Sequence, residues 1–267
     1  MYRIGTSGYY FKDWIGSVYP EKIKKSELLP YYEKELGFNS LEINYTYYHL
    51  PDWKTISGME RKTSDNFTFV VKAYKDMTHN IKRNEKMELE ANREVFEKFA
   101  NALKPLIENG KLGGVLAQFP YSFKANRENA KYIVVFKELL GDMPLYVEFR
   151  NIDWIKKEVF DFLKKRGIGY CCVDEPRLKG LVPFVSVSTS ENGYVRLHGR
   201  NKNWFKANVS ERYNYNYSED ELIDIAEKVS KINRNAKDVY IFFNNCHLGF
   251  AAKNAIKMKE LLNEKNN

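Results

Sequence analysis

Run after run of apolar residues in this chain ends in one or two polar side chains able to do chemistry, and the pattern recurs along almost its whole length. Phe38 to Ile43 leads into Asn44, with Glu42 two residues earlier, Phe67 to Val71 into Lys72, and Gly114 to Ala117 into Gln118. Leu145 to Val147 leads into Glu148 and Arg150, and Ile168 to Val173 into Asp174. Tyr194 to Leu197 carries Arg196 and stops at His198, and Val239 to Phe243 stops at Asn244. With Tyr2 to Gly5 in front, these make eight β-branched or aromatic runs separated by helical stretches. The order predicts one α/β domain over residues 1–267, a single (β/α)8 TIM-type barrel with its site at the C-terminal ends of the strands.

Seven of the connections read as helices. Ser26 opens the first and Gly37 ends it, the second follows Pro51, and the third runs from about Met87 to Leu106. The fourth spans Arg127 to Leu140 and is closed by Gly141; the fifth spans Ile155 to Arg166 and is closed by Gly167. Ser218, with Glu221 three residues on, forms a capping box for a helix to Lys231, and the last helix runs from Gly249 to Leu262. The sixth β-to-β connection, from Asp174 to Tyr194, is irregular. Pro176, Gly180 and Pro183 flank an alternating run, Phe184 to Val187, which reads as irregular chain or a short extra strand.

No apolar run approaches the roughly 18 residues of a membrane span, and Met1 to Gly5 enters a strand without a signal-peptide core. Cys171, Cys172 and Cys246 cannot all pair and are expected to be buried thiols. The expectation is a cytoplasmic protein with no membrane partner. The 43 basic against 35 acidic residues give +8, which favours an anionic partner, from a phosphorylated sugar to nucleic acid. Much of the lysine, such as Lys156, Lys157, Lys164 and Lys253, also suits solvated helix faces.

Side chains alternate along a strand, so Glu42 shares a face with Asn44, Glu148 with Arg150, and Arg196 with His198 and Arg200. In a barrel this polar set faces the top of the lumen, joined by Lys72, Gln118, Asp174 and Asn244. Pairs such as Glu148 with Arg150, or Glu42 with Lys72, also suit buried ion pairs. A structural role for the whole set would require several buried charges, which are costly. Glu42, Glu148, Asp174 and His198 are groups a hard divalent metal accepts. Lys72, Arg150, Arg196 and Arg200 at the same level oppose a cation, so a metal is the less favoured reading. The metal-free reading makes Glu42 or Glu148 a general base and His198 an acid, with Lys72 and Asp174 in the catalytic set and the arginines as an anion clamp.

Three long connections, Ser7 to Ser26, Ala73 to Lys86 and Gly199 to Tyr217, follow strand ends. The first holds Trp14; the last mixes Trp204, Phe205, Tyr213, Tyr215 and Tyr217 with Arg200, Lys202, Lys206 and Arg212. Such mixtures suit sugar rings or bases joined to phosphate, and equally suit loop anchors packed on the rim. The substrate-binding set is Ser7, Trp14, Asn44, Tyr48, Gln118, Arg150, Arg196, Arg200 and Asn244.

Gly5-Thr6-Ser7-Gly8-Tyr9 with Trp14 and Tyr19-Pro20, followed by Glu42-Ile43-Asn44-Tyr45-Thr46-Tyr47-Tyr48, resembles the YecE-like family, domain of unknown function 72. The likeness continues through Thr78-His79, Gln118-Phe119-Pro120, Glu148-Phe149-Arg150 with Trp154, and Val195-Arg196-Leu197-His198-Gly199-Arg200. It ends in Phe243-Asn244-Asn245 and Asn254-Ala255, covering nearly the whole chain in order. The resemblance implies a TIM-type barrel distantly related to sugar isomerases and carries over no catalytic roles. Two functions follow: an enzyme of isomerase, lyase or hydrolase type acting on a phosphorylated or acidic sugar-like molecule, or a nucleic-acid-binding protein or phosphodiesterase.

Overall fold

The computed structural model describes residues 1–205 and 209–264. The strands fall where the apolar runs lie: β1 (Tyr2–Thr6), β2 (Ser40–Ile43), β3 (Thr68–Lys72), β4 (Leu112–Gln118), β5 (Leu145–Glu148), β6 (Gly169–Asp174), β7 (Gly193–Leu197) and β8 (Val239–Phe243). Their near-continuous hydrophobicity fits strands covered on both faces. Among the described residues these eight strands form one sheet of parallel neighbours, in the order β1-β8-β7-β6-β5-β4-β3-β2. It is a nearly closed (β/α)8 barrel.

The barrel closes by a different chemistry at the β1/β2 seam. There the ladder gives way to an isolated bridge between Ser7 and Glu42. Side chains replace the missing backbone pairs. The Tyr32 hydroxyl accepts from Thr6 N–H at 2.8 Å and donates to Ser40 O at 3.2 Å. Asn39 Oδ1 accepts from Ile4 N–H at 2.8 Å, while its Nδ2 donates to Tyr2 O at 3.0 Å. Gly5 permits the approach, since a Cβ there would lie 1.9 Å from Ser40 O.

The helices follow their caps. Asn126 accepts from Asn129 N–H and opens the helix Arg127–Leu140, which buries Tyr132, Ile133, Phe136 and Leu140; Gly141 ends it at φ +59°. Ser218 and Glu221 form the expected box at the start of Glu219–Asn233. The third helix differs from the sequence reading. Its stretch begins with a small antiparallel hairpin, Lys82–Arg83 against Leu89–Glu90, and the helix starts at Arg93, where Asn92 caps Val95 N–H. It ends at Ala102, and Pro105 falls in the first turn of a separate short helix, Lys104–Glu108. Phe184 to Val187 is irregular chain and not a strand. Cys171, Cys172 and Cys246 are free and buried. Among the described residues no helix is long and apolar enough to cross a membrane.

The lumen is layered. Near the N-terminal ends of the strands, Tyr146 stacks on Tyr194 at 4.5 Å and meets Tyr240 at 6.0 Å. Gly169 makes room for this plug, since a Cβ there would lie 2.4 Å from the Tyr146 ring.

Candidate functional site

Two residues beyond that tyrosine layer, the alternation of β5 and β7 brings Glu148 and Arg196 into the same lumen. Both are buried, at 0% and 1% exposure, as is Glu42 at 0%. Arg196 lies between the carboxylates: Nη2 donates to Glu42 Oε1 at 2.6 Å and Nη1 to Glu148 Oε2 at 2.5 Å. Ser7 Oγ donates to Glu42 Oε1 at 2.7 Å and the Tyr194 hydroxyl to Oε2 at 2.6 Å. Arg150 extends the chain, with Nη2 2.7 Å from Glu148 Oε1 and Nη1 2.7 Å from Glu175 Oε2. Charges at this depth persist because each carboxylate meets a guanidinium in hydrogen-bond geometry.

His198 completes the layer. Its Nε2 lies 3.2 Å from Glu148 Oε1 and 3.1 Å from Arg150 Nη2, and Asn244 Nδ2 lies 2.9 Å from Nδ1. Burial, with the Arg150 charge beside it, pulls its pKa down to about 3, so the ring is neutral near pH 7. Burial would raise the Glu148 carboxyl, but Arg150, Arg196 and His198 overcome that and hold it well below the ordinary range. Glu148 is thus a poor proton acceptor, and His198 is not an imidazolium acid.

Above this floor is a cleft of two lobes. One, of about 460 Å³, is lined by the basic side chains of Lys72, Arg150, Arg196 and Arg212, with Gln118 and His79, and among the described residues by no carboxylate. Trp204 roofs it: Arg150 lies 5.5 Å and Arg212 5.4 Å from its ring, and His198 6.2 Å. The other lobe, of about 610 Å³, is largely aromatic, with Tyr9, Tyr10, Phe11 and Tyr45 beside Ser7 and Glu42. Asn44, Tyr48, Tyr213 and Asn244 line both lobes. Two buried atoms at this cleft, Arg196 Nε and Asn44 Oδ1, have no hydrogen-bond partner among the described residues.

Lys72 Nζ donates to Gln118 Oε1 at 3.0 Å and lies 4.6 Å from the centre of the Tyr47 ring. Burial, reinforced by Arg196, lowers its pKa to about 7. Glu175 moves the opposite way: burial raises its pKa from 4.5 to about 7 despite Arg150. With a folded-state pKa above the unfolded one, its contribution to stability is full below about pH 4.5 and is lost as pH rises through about 7. Glu175→Gln should remove that dependence. Between pH 5 and 8, urea unfolding is expected to show the native chain losing stability relative to this variant; parallel curves would refute the assignment.

The structure thus gathers Ser7, Glu42, Asn44, Tyr48, Lys72, Gln118, Glu148, Arg150, Arg196, His198 and Asn244 at one cleft. Three residues fall elsewhere. Asp174 has the strand parity of Cys172, whose Sγ points away from the lumen to Val187 O, and it faces the helical layer. It accepts from Arg200 Nε at 2.9 Å, Arg200 Nη2 at 2.8 Å and the Tyr217 hydroxyl at 2.7 Å. Arg200 also binds Glu221 at 2.9 Å, so Asp174 and Arg200 brace β6 and β7 to the helix Glu219–Asn233. Trp14 is fully buried, its Nε1 donating to Cys246 O at 2.7 Å; it anchors a loop and lines neither lobe. Glu42 pairs with Arg196 and not with Lys72. A divalent cation between Glu42 and Glu148 would have to displace Arg196. Lys206 lies outside the described residues.

Tyr194 and Glu175 were missed, and alternation held the signal for both. Tyr194 shares the parity of Arg196, and Glu175 shares that of Cys171, whose Sγ lies 3.9 Å from Glu148.

A family model described as "Protein of unknown function DUF72" matches residues 3–267. The UPF0759 protein YunF of Bacillus subtilis (strain 168) is 34% identical over 98% of this chain and 95% of its own length. A crystal structure of a DUF72 family protein from Thermotoga maritima MSB8 superimposes with a TM-score of 0.89 at 42% identity, over 98% of this chain and 99% of that one. D-psicose 3-epimerase from Clostridium cellulolyticum H10 shares the barrel, with a TM-score of 0.52 at 10% identity over 92% and 93% of the two chains. At that distance the likeness is one of fold alone.

Proposed function

The chain belongs to the DUF72 family of proteins of unknown function, and on that footing we propose that its barrel top binds a small phosphorylated or acidic sugar-like molecule and turns it over by proton transfer. The observation that carries this reading is the cationic lobe: Lys72, Arg150, Arg196 and Arg212 line it, with no Asp or Glu among the described residues of its wall. Arg196 and Arg150 have their carboxylates below, while Arg196 Nε has no partner among the described residues. A volume of about 460 Å³ suits a metabolite. Glu42 and Glu148 position the guanidinium groups in this scheme, and Lys72 is the group that exchanges a proton near pH 7.

Thermal unfolding tests the reading. Fructose 6-phosphate and inorganic phosphate should raise the unfolding temperature, and fructose at the same concentration should not. Arg212→Ala is expected to weaken phosphate binding about tenfold, the loss of one charge-assisted contact of roughly 1.5 kcal/mol. Equal stabilisation by fructose would overturn the anion site. The second reading, nucleic acid, rests on the +8 charge and on Trp204 and Phe205 beside Arg212 in the cavity wall. It requires retention of single-stranded oligonucleotides at low salt with a steep salt dependence.

A further inference from the structure

We propose that Lys72 is a covalent nucleophile that forms an imine with the carbonyl carbon of an anionic aldehyde or ketone held in the cationic lobe. The inference rests on the anion-site reading and adds the ligand's reacting group.

Lys72 ends β3 and lines the lobe together with three arginines. Its Nζ meets a neutral acceptor, Gln118 Oε1, and an aromatic face. Among the described residues no carboxylate lies within ion-pair distance of it. Lys111 is a contrast within the same chain: it is buried, at 2% exposure, and its Nζ is taken up by Glu60 Oε1 at 2.8 Å and by the carbonyls of Glu60 and Thr63, where the half-buried Lys72 meets no carboxylate. The thiols are no rivals, since burial raises the pKa of Cys171, Cys172 and Cys246 alike. With its pKa at about 7, Lys72 is roughly half neutral amine at neutral pH. A desolvated lysine beside other cations is a known way to make that nucleophile.

The reaction balances without an oxidant or reductant. The ammonium releases a proton, and the nitrogen lone pair forms a C–N bond while the carbonyl π pair moves to oxygen. That oxygen takes up protons and leaves as water as the C=N bond forms. The sum is ammonium plus carbonyl giving iminium plus water, with charge unchanged. Arg150, Arg196 and Arg212 hold the ligand's carboxylate or phosphate, and the two sources share this chemistry.

Trapping with cyanoborohydride tests the proposal, with pyruvate as the carboxylate probe, dihydroxyacetone phosphate as the phosphate probe and dihydroxyacetone as the neutral control. The expected result is one reduced adduct per chain, mapped by peptide mass to Lys72, at least tenfold above the control and above every other lysine. Which anionic probe labels identifies the source. The labelling rate should rise through about pH 7 and not near 10, and Lys72→Arg, or Lys72→Met if the former does not fold, should abolish it. Adducts spread over surface lysines, or labelling that persists in these variants, would overturn the proposal. Absence of any adduct would overturn it too, and thermal stabilisation of the native chain by inorganic phosphate then separates the two ideas. Stabilisation retained leaves the anion site standing and removes only the imine; stabilisation absent removes both.

Discussion

Arg196→Met is expected to lower the free energy of unfolding by about 3–5 kcal/mol, as measured by urea titration. Arg196 is 1% exposed and spans two buried carboxylates. After the substitution Glu148 still has Arg150, at 2.7 Å. Glu42 keeps only neutral donors, the hydroxyls of Ser7 and Tyr194, and an uncompensated buried charge is the expensive outcome. The deficit should therefore shrink when Glu42→Gln is added, with the double variant regaining more than half of the loss. A single variant within about 1 kcal/mol of the native chain would show that solvent reaching the cleft stabilises Glu42 unaided.

Gly5→Ala is expected to cost about 3 kcal/mol, at the upper end of over-packing. The new Cβ would lie 1.9 Å from Ser40 O and 2.7 Å from the Tyr32 hydroxyl. Relief requires backbone movement at the seam, which breaks the Tyr32 bridge between Thr6 N–H and Ser40 O. Gly58→Ala is the matched control. It lies within the helix Trp53–Glu60 with nothing within 4 Å of the new Cβ, so the same change should stabilise by about 0.5–1 kcal/mol. Denaturant midpoints moving in opposite directions would support the seam. Equal shifts would sink the steric argument.

The strands and most of the site were legible because a barrel strand has a period of two and an inward face, so residues such as Glu148 and Arg196 announce their direction. Strand ends were the weak point. At Asp174-Glu175 one step of register decides which carboxylate enters the lumen, and a run that simply stops at Asp174 does not reveal that step. The pairing of Arg196 with Glu42 joins β7 to β2 across the barrel; local spacing offered Lys72 as the nearer partner. Trp14 stood among loop aromatics whose ligand-facing and anchoring members look alike in sequence. The two-lobed cleft was not legible, because Trp204 and Tyr213 reach it from a connection whose path only the fold determines. The helix from Arg93 was obscured by Met87 to Glu90, whose composition suits a helix while its contacts make a hairpin.

The pairing of β1 also bears on how the chain reaches its fold. β1 takes its full ladder from β8, Tyr2 against Val239 through Thr6 against Phe243, and only a bridge from β2. Tyr32 and Asn39 satisfy one side of β1 from nearby in sequence, but the ladder on its other side forms only when β8 is in place. Assembly of so non-local a pair is slow, and intermediates with unpaired strands are prone to associate. The strand whose ladder joins the two ends of the barrel sequence is also the one that delivers Ser7 to Glu42.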